Sequence, residues 1–175
     1  MRKLLLLLWV LTLPAWCKDW SHTGTTWKHS NGMSVTFPAD FQVQEADNGV
    51  LTVIGKQGFI TYIVQGMVGE AAYKGWLGGQ QQFRVKSDWQ VKSEFSKANK
   101  NGLQGQFLES EHTNQEGILF VGIAVAFSKG KDYLCLQMLY PKLRESDWSP
   151  LLSDTVNSVK AGAKAKPVAK PEEAR

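Results

Sequence analysis

The sequence has 175 residues, of which 43% are hydrophobic and 21% are charged, and its formal net charge is +4. This composition excludes an intrinsically disordered chain, which would be poorer in hydrophobic residues and richer in charge. Two cysteines are too few for a disulfide-dense scaffold or a four-cysteine zinc site, and the length allows one domain or at most two.

The positive charge lies at the two ends of the chain. Residues 1–17 carry two basic side chains and no acidic one, and residues 160–175 carry five basic and two acidic side chains. The segment between them, residues 18–159, has 13 basic and 14 acidic side chains and is nearly neutral. Because a nucleic-acid-binding domain ordinarily has a basic face, we expect no nucleic-acid partner.

The N-terminus has the pattern of a secretory signal peptide. Arg2 and Lys3 precede an apolar run over residues 4–13, which Pro14 ends. This run is too short for a membrane-spanning helix, which needs roughly 20 apolar residues. We therefore predict a signal peptide over residues 1–17, no transmembrane segment in the mature chain, and export to the bacterial periplasm or the cell exterior.

The two cysteines raise separate questions. Lipidation at Cys17 is an alternative to simple cleavage, although bacterial lipoprotein signals have a small residue where this sequence has Trp16. If Cys17 is removed, Cys135 is the remaining cysteine of the mature chain. It lies in an apolar run, where a free cysteine is expected to pack in the core.

The first part of the mature chain is predicted to form antiparallel strands. Residues 25–29 and 33–37 flank Asn31-Gly32, a dipeptide that favours a tight hairpin with positive φ at both central positions. Three further strands are predicted, over residues 41–44, 50–54 and 59–64.

The spacing of apolar residues becomes helical at Glu70. Ala72, Trp76 and Phe83 are among the residues that predict a helix over residues 70–86. Each glycine weakens a helix by about 1 kcal/mol relative to alanine, so a break into two shorter helices is expected at Gly78-Gly79.

Strands are predicted to resume after this helix, over residues 90–96, 103–112, 118–127 and 133–140. The run 118–127 is apolar without alternation, which is typical of a central strand that is covered on both faces.

A second helix is predicted from an apolar stripe that begins at Trp148 and ends at Val159. Ser146 or Ser149 could cap its start, and Gly162 is the expected stop. Residues 163–175, rich in Ala, Lys and Pro, are predicted to be a disordered tail. The tail's lysines could add weak attraction to an anionic surface.

Together these elements predict an α+β fold in a single domain over residues 18–162. The simplest arrangement is one antiparallel β-sheet with a helix on each face, an α-β-α sandwich.

Residues 31–41 resemble the Gly-x-Ser-apolar-x-Phe-Pro-x-x-aromatic start of PsbP-like domains. The closing helix, with Trp148, Leu152 and Val156, is similar to the last helix of those domains. The superfamily includes PsbP extrinsic subunits of photosystems, a yeast Ran-binding protein and DcrB-type bacterial envelope proteins. The resemblance extends over residues 25–160 in element order. It implies an α-β-α sandwich with a binding or accessory role, and it supplies no catalytic residue.

Known catalytic motifs are absent from the sequence. It has no Gly-x-Ser-x-Gly elbow, phosphate-binding loop or His-Glu-x-x-His helix. Its three histidines are too scattered for a metal site and are expected to be solvated or to lie in loops. Glu109 and Glu111 share one face of a strand. They could act as an acid–base pair in catalysis, but solvation of an outer face is the favoured interpretation. We therefore predict no catalytic residue, metal or cofactor.

Aromatic residues are the one candidate for a binding site. Tyr73 and Trp76 are three residues apart on the first predicted helix and share a face. With Trp89 they could line a groove between this helix and the sheet that binds a peptide, a glycan or an apolar ligand, although core packing is the simpler reading.

Three functions remain open. The first is an exported, non-catalytic binding or accessory protein of the bacterial cell envelope, whose partner would be another envelope protein. The second is a carrier of a small ligand in an aromatic-lined pocket. The third is a hydrolase with a noncontiguous site, for which His112, Glu109 and Glu111 are the candidates.

Overall fold

A computed structural model describes residues 19–46, 48–55 and 60–163 of the chain. The predicted signal peptide, with Cys17, and nearly all of the predicted tail lie outside the described residues. Those that are described form an α+β fold with two helices and two antiparallel sheets, which confirms the predicted fold class.

The strands are β1 (Trp20–Thr23), β2 (Thr26–His29), β3 (Met33–Thr36), β4 (Gln42–Glu45), β5 (Val50–Ile54), β6 (Thr61–Val68), β7 (Gln90–Ala98), β8 (Gln104–Thr113), β9 (Leu119–Lys129), β10 (Asp132–Pro141) and β11 (Lys160–Ala161). The helices are α1 (Glu70–Lys86) and α2 (Glu145–Ser158), and a short 3-10 helix over Lys142–Arg144 leads into α2.

Seven strands form the large sheet, in the order β4-β5-β6-β10-β9-β8-β7. The other four form a small sheet in the order β1-β2-β3-β11, so the predicted single sheet is in fact two. The helix α1 lies on one face of the large sheet, and α2 and the small sheet lie on the opposite face. The helix-on-each-face arrangement is therefore present, with the small sheet as an addition to the α2 side.

The main core lies on the α2 side of the large sheet. Its fully buried large side chains are Tyr62, Phe127, Met33, Leu51, Ile60, Leu134, Leu136, Val35, Val53, Val64, Val121 and Val125. The strand β9 lies between β10 and β8, and it is buried on both faces, because Ala124 and Ala126 on the α1 side are also buried. This confirms the prediction that residues 118–127 form a central strand.

Both predicted helices are present, with differences at their ends. The helix α1 is continuous through Gly78-Gly79, so the expected break was wrong. The helix α2 begins at Glu145, before either serine that was expected to cap it, and no side chain caps it. It ends at Ser158 rather than Gly162, because residues 160–161 pair with β3 as a strand.

The hairpin between β2 and β3 forms around Asn31-Gly32, as predicted, but with a different turn. Gly32 has φ of 90°, whereas Asn31 is not among the residues with positive φ. The Gly32 N–H donates to the His29 carbonyl at 2.9 Å, as in a three-residue loop that closes with glycine. The Asn31 side chain is thereby free to make contacts outside the hairpin.

Asn31 joins the small sheet to the large one. Its buried side-chain amide donates to the carbonyls of Met67 in β6 and Tyr133 in β10, at 3.1 and 3.0 Å. Its Oδ1 accepts a hydrogen bond from the Met33 N–H at 2.9 Å. One side chain thus satisfies three backbone groups at the junction.

The junction also buries His29, so the prediction of solvated histidines was wrong for this residue. His29 is 6% exposed and packs on Gly66, where a Cβ would lie 2.2 Å from the imidazole ring. Its Nδ1 accepts a hydrogen bond from the Asn31 N–H at 3.2 Å. Burial lowers the pKa of His29 below its ordinary value of 6.5, more strongly than the neighbouring Asn31 and acidic groups raise it.

We expect His29 to make stability depend on pH. Because its pKa is lower in the folded state, the unfolded chain binds more protons once the pH falls below about 6.5, and the free energy of unfolding decreases. The decrease ends when folded His29 is protonated as well. Urea denaturation gives the free energy of unfolding at each pH between about 7.5 and about 5. This free energy should decrease with falling pH more steeply in the native protein than in His29→Asn, which keeps an acceptor near the Nδ1 position. His22→Asn, at an exposed histidine, should keep the native slope; equal slopes in all three proteins would contradict the assignment.

Candidate functional site

A cavity of about 400 Å³ lies between α1 and the large sheet. We name it the α1 pocket. Its lining residues come from α1, the loop after it and four strands: Thr61, Ile63, Gln80, Phe83, Arg84, Trp89, Ser110, Gly122, Ile123, Ala124, Gln137, Met138 and Leu139. The predicted location of a site, between the first helix and the sheet, is where this cavity lies.

The first half of α1 is held against the sheet by aromatic stacking. The rings of Tyr73 and Tyr133 of β10 are nearly parallel, with centroids 4.5 Å apart, and Trp76 stacks more distantly on Tyr73. The second half of the helix presents Gln80 and Arg84 as its buried residues instead of apolar ones. The pocket therefore lies under the half of the helix where close apolar packing ends.

Small side chains on the sheet leave room for this cavity. Ser110, Gly122 and Ala124 lie on the α1 side of β8 and β9, where larger residues would fill the space. Apolar surface comes from Ile63 and Leu139, each of which remains 39% exposed. The result is a largely apolar wall that is open to a ligand.

Trp89 lies at the edge of the pocket, among other aromatic rings. Its indole stacks on His112 with centroids 5.3 Å apart and lies 6.4 Å from Phe83. A Cβ built on Gly122 would lie 2.8 Å from Trp89 Cζ3, so the glycine gives the indole its place on the sheet. Of the three predicted site residues, Trp89 lines the pocket, whereas Tyr73 and Trp76 lie outside its lining and hold the helix in place.

Arg84 is the charged residue of the α1 pocket. It is 7% exposed, and its Nε donates to Ser110 Oγ at 3.3 Å. Its Nη1 is buried and has no hydrogen-bond partner among the described residues. Burial lowers the pKa of Arg84, and the charge of Glu94 acts in the opposite direction. The guanidinium nevertheless stays charged, as arginine does in proteins.

Sequence reasoning missed Gln80 and Arg84, although the sequence held a signal for them. Residues 73, 77, 80 and 84 follow one helical face, which begins apolar and becomes polar in its second half. A polar residue on the inner face of a helix needs a partner or a cavity, and here the structure supplies the cavity.

A second cavity of about 290 Å³, the α2 cavity, lies on the opposite side of the large sheet. It is lined by α2 together with residues of β7, β8, β9 and β10, and its walls include the stacked rings of Phe95 and Phe107. Glu109 and Glu145 are also among its lining residues. It is smaller than the α1 pocket and has no basic residue among its lining except Lys97.

The hydrolase candidates do not converge. Glu109 and Glu111 share one face of β8, as predicted, whereas His112 lies on the other face and stacks on Trp89. Glu111 forms ion pairs with Lys142 and Lys92, and these neighbours, Lys142 above all, lower the pKa of its carboxyl. Glu111 and His112 also border a polar cavity at the end of these strands, but Glu109 is not part of that lining.

Three further predictions concern the buried cysteine, metal ligands and membrane-spanning helices. Cys135 is buried, and burial raises the pKa of its thiol to about 12, so it packs as an apolar side chain. In residues 19–46, 48–55 and 60–163, no group of three or more metal-ligating side chains comes together. Over the same ranges, neither helix combines the length and the apolar character that crossing a bilayer requires.

No protein-family model and no curated protein matches this sequence. Several solved structures, however, are similar to its fold. A solution structure of cyanobacterial PsbP from Synechocystis has a TM-score of 0.58 and 8% identity, covering 80% of this chain and 94% of that one. A Mycobacterium tuberculosis protein, LpqN, described as involved in cell envelope biogenesis, has a TM-score of 0.51 and 10% identity, with coverages of 82% and 87%.

A crystal structure from Bacteroides thetaiotaomicron has a TM-score of 0.55 and 12% identity. The match covers 82% of this chain but 50% of that one, so this chain spans about half the length of the Bacteroides protein. These likenesses confirm that the chain has a PsbP-like fold, the one that the motifs of residues 31–41 implied. At such low identities they show the fold alone.

Proposed function

We propose that this protein is a non-catalytic binding protein that holds a small apolar or amphipathic ligand in the α1 pocket. The observation that carries the proposal is the open, largely apolar cavity of about 400 Å³ between α1 and the sheet. Pockets for small molecules ordinarily have volumes of about 300–1,000 Å³, mostly apolar walls and a few convergent polar groups. The α1 pocket has this composition, with Gln80, Arg84 and Ser110 as its polar groups.

Burial of the exposed apolar side chains of the pocket would favour binding of an apolar ligand. Ile63 and Leu139 would be removed from water by an apolar ligand, which contributes about 25 cal/mol per Å² of buried apolar surface. The stacked Tyr73 and Tyr133 hold the helix at a fixed place above the sheet. Such a preformed site needs little reorganisation when a ligand binds.

The proposed place of action is the bacterial cell envelope. Its support is the signal-peptide pattern of residues 1–17 and the similar fold of LpqN, a protein described as involved in cell envelope biogenesis. A carrier delivers its ligand to, or receives it from, another component. An envelope protein as partner therefore fits this function.

Filling the pocket tests the proposal. Ala124 and Ala126 lie on the same face of β9, and each is 4% exposed, but only Ala124 lines the α1 pocket. We expect Ala124→Leu to weaken binding of the uncharged fluorescent probe N-phenylnaphthylamine by about tenfold, because the added carbons occupy the cavity. Ala126→Leu, the matched control, should bind the probe as the native protein does.

Fluorescence titration measures both variants, with urea denaturation to establish that each is folded. Saturable binding that Ala124→Leu and Ala126→Leu weaken equally would place the site elsewhere. An absence of saturable binding to the native protein would contradict the proposed function.

A further inference from the structure

Arg84 places a buried positive charge in the wall of an otherwise apolar pocket. The side chain is 7% exposed, and its one hydrogen bond within residues 19–46, 48–55 and 60–163 goes to a neutral hydroxyl, that of Ser110. In the same part of the chain, the buried Nη1 finds no acceptor. Burying a charged group without a partner is unfavourable by several kcal/mol, so a protein rarely keeps one without a use for it.

The described residues do not supply a counterion for Arg84. The ion pairs among them join Lys74 with Glu70, Lys92 and Lys142 with Glu111, and Arg144 with Asp147. Glu94 influences Arg84 through its charge, but it is exposed on β7 and forms no ion pair with the guanidinium within 4.0 Å. Apart from Glu94, no acidic side chain among the described residues is found to act on Arg84, so the anionic group of a bound molecule would suit the site.

From this geometry we infer that the α1 pocket binds an amphipathic anion, with its carboxylate or phosphate at Arg84 and its apolar body against Ile63, Leu139 and Trp89. The inference rests on the proposed function and adds the chemical class of the ligand. Two donors of a guanidinium can pair with two oxygens of a carboxylate or of a phosphate, and its positive charge repels a cation.

Two neighbours would support the headgroup. Ser110 Oγ accepts from Arg84 Nε and donates to the Gly122 carbonyl at 3.2 Å, which fixes the guanidinium relative to β8 and β9. Gln80 lies one helical turn before Arg84, is buried, and brings an amide N–H₂ to the same wall. The polar groups thus cluster beneath the second half of α1, with apolar surface beside them.

The test compares ligands that share a tail and differ in their headgroups. Decanoate, decyl phosphate and decanol are titrated into the native protein and into Arg84→Met and Arg84→Lys, with calorimetry as the readout. We expect the native protein to bind at least one of the two anions about tenfold more tightly than decanol, since a hydrogen-bonded charge contributes that much. The tighter anion identifies the headgroup as a carboxylate or as a phosphate.

Arg84→Met should bind both anions only as tightly as decanol, and its affinity for decanol should be unchanged. Arg84→Lys should keep part of the preference, because it retains the charge without the fork of donors. Glu94→Gln should strengthen anion binding about twofold, since it removes a competing negative charge near the guanidinium. This variant keeps the test decisive if the changes at Arg84 disturb folding.

Equal affinities of the native protein for decanol and for both anions would overturn the inference while leaving the proposed function intact. Failure of all three ligands to bind would contradict the proposed function itself.

Discussion

Asn31→Ala is expected to lower the free energy of unfolding by about 3 kcal/mol, which is a large part of the 5–15 kcal/mol typical of a domain. The Asn31 amide donates to the carbonyls of Met67 and Tyr133, and its Oδ1 accepts from the Met33 N–H. The substitution removes these three hydrogen bonds at a buried junction, and each contributes about 1 kcal/mol to stability. Chemical denaturation measures the loss.

Asn114→Ala is the matched control. Asn114 Oδ1 also accepts from backbone N–H groups of its own turn, those of Glu116 and Ile118, but at an exposed site. Water can replace these bonds, so a loss below about 1 kcal/mol is expected. Asn31→Asp should be as harmful as Asn31→Ala, because its carboxylate would face two carbonyls. A loss below about 1 kcal/mol in Asn31→Ala would contradict the role of Asn31 as the connection between the sheets.

Arg84→Met is expected to leave the unliganded protein as stable as before, or more stable by about 1 kcal/mol, and to reduce its stabilisation by an anionic ligand to about half. Methionine fills similar space without a buried charge, and exchanging such a charge for apolar atoms is often neutral or favourable. The weak hydrogen bond to Ser110 is the main contact that the substitution removes.

The ligand effect separates a binding role from a structural one. An anion at a hundredfold its dissociation constant should stabilise the native protein by about 2.7 kcal/mol. Arg84→Met should gain only about 1.4 kcal/mol at the same concentration, because its affinity is lower by about tenfold. Denaturation curves with and without decanoate or decyl phosphate measure both effects. A loss of more than about 2 kcal/mol in unliganded Arg84→Met would show that Arg84 supports the fold instead.

Sequence patterns predicted the local elements of this fold well. The helix over residues 70–86, the hairpin around Asn31-Gly32 and the doubly covered strand over residues 118–127 were all predicted. Each of these depends on the spacing of neighbouring residues or on the chemistry of one turn. The PsbP-like fold could also be predicted, because its opening motif over residues 31–41 is short and contiguous.

Features that depend on distant parts of the chain were not predicted. The small sheet is completed by the pairing of residues 160–161 with β3, more than a hundred residues away, and no local pattern indicates this. His29 is buried because Gly66, on another strand, leaves space for its ring. Which residues of α1 would face a cavity depended on how closely the helix approaches the sheet.

The α1 pocket illustrates how the fold creates a site. The stacking of Tyr73 on Tyr133 sets the distance between helix and sheet, and the small residues Ser110, Gly122 and Ala124 leave the space beyond it unfilled. Arg84 then adds a charge that the apolar walls cannot satisfy. The packing of α1 on the sheet therefore creates the cavity, and the side chains under α1 determine which ligand it would suit.

The location of a bound anion tests this account most directly. In a protein with ¹³C-labelled methyl groups and uniform ¹⁵N labelling, decanoate or decyl phosphate should produce intermolecular nuclear Overhauser effects and saturable shifts at the methyls of Ile63 and Leu139, together with a shift of the Arg84 Nε–H. The methyls of Leu152 and Val156, which line the α2 cavity, should remain unchanged. Contacts to Leu152 and Val156 without contacts to Ile63 and Leu139 would contradict the assignment of the α1 pocket as the binding site.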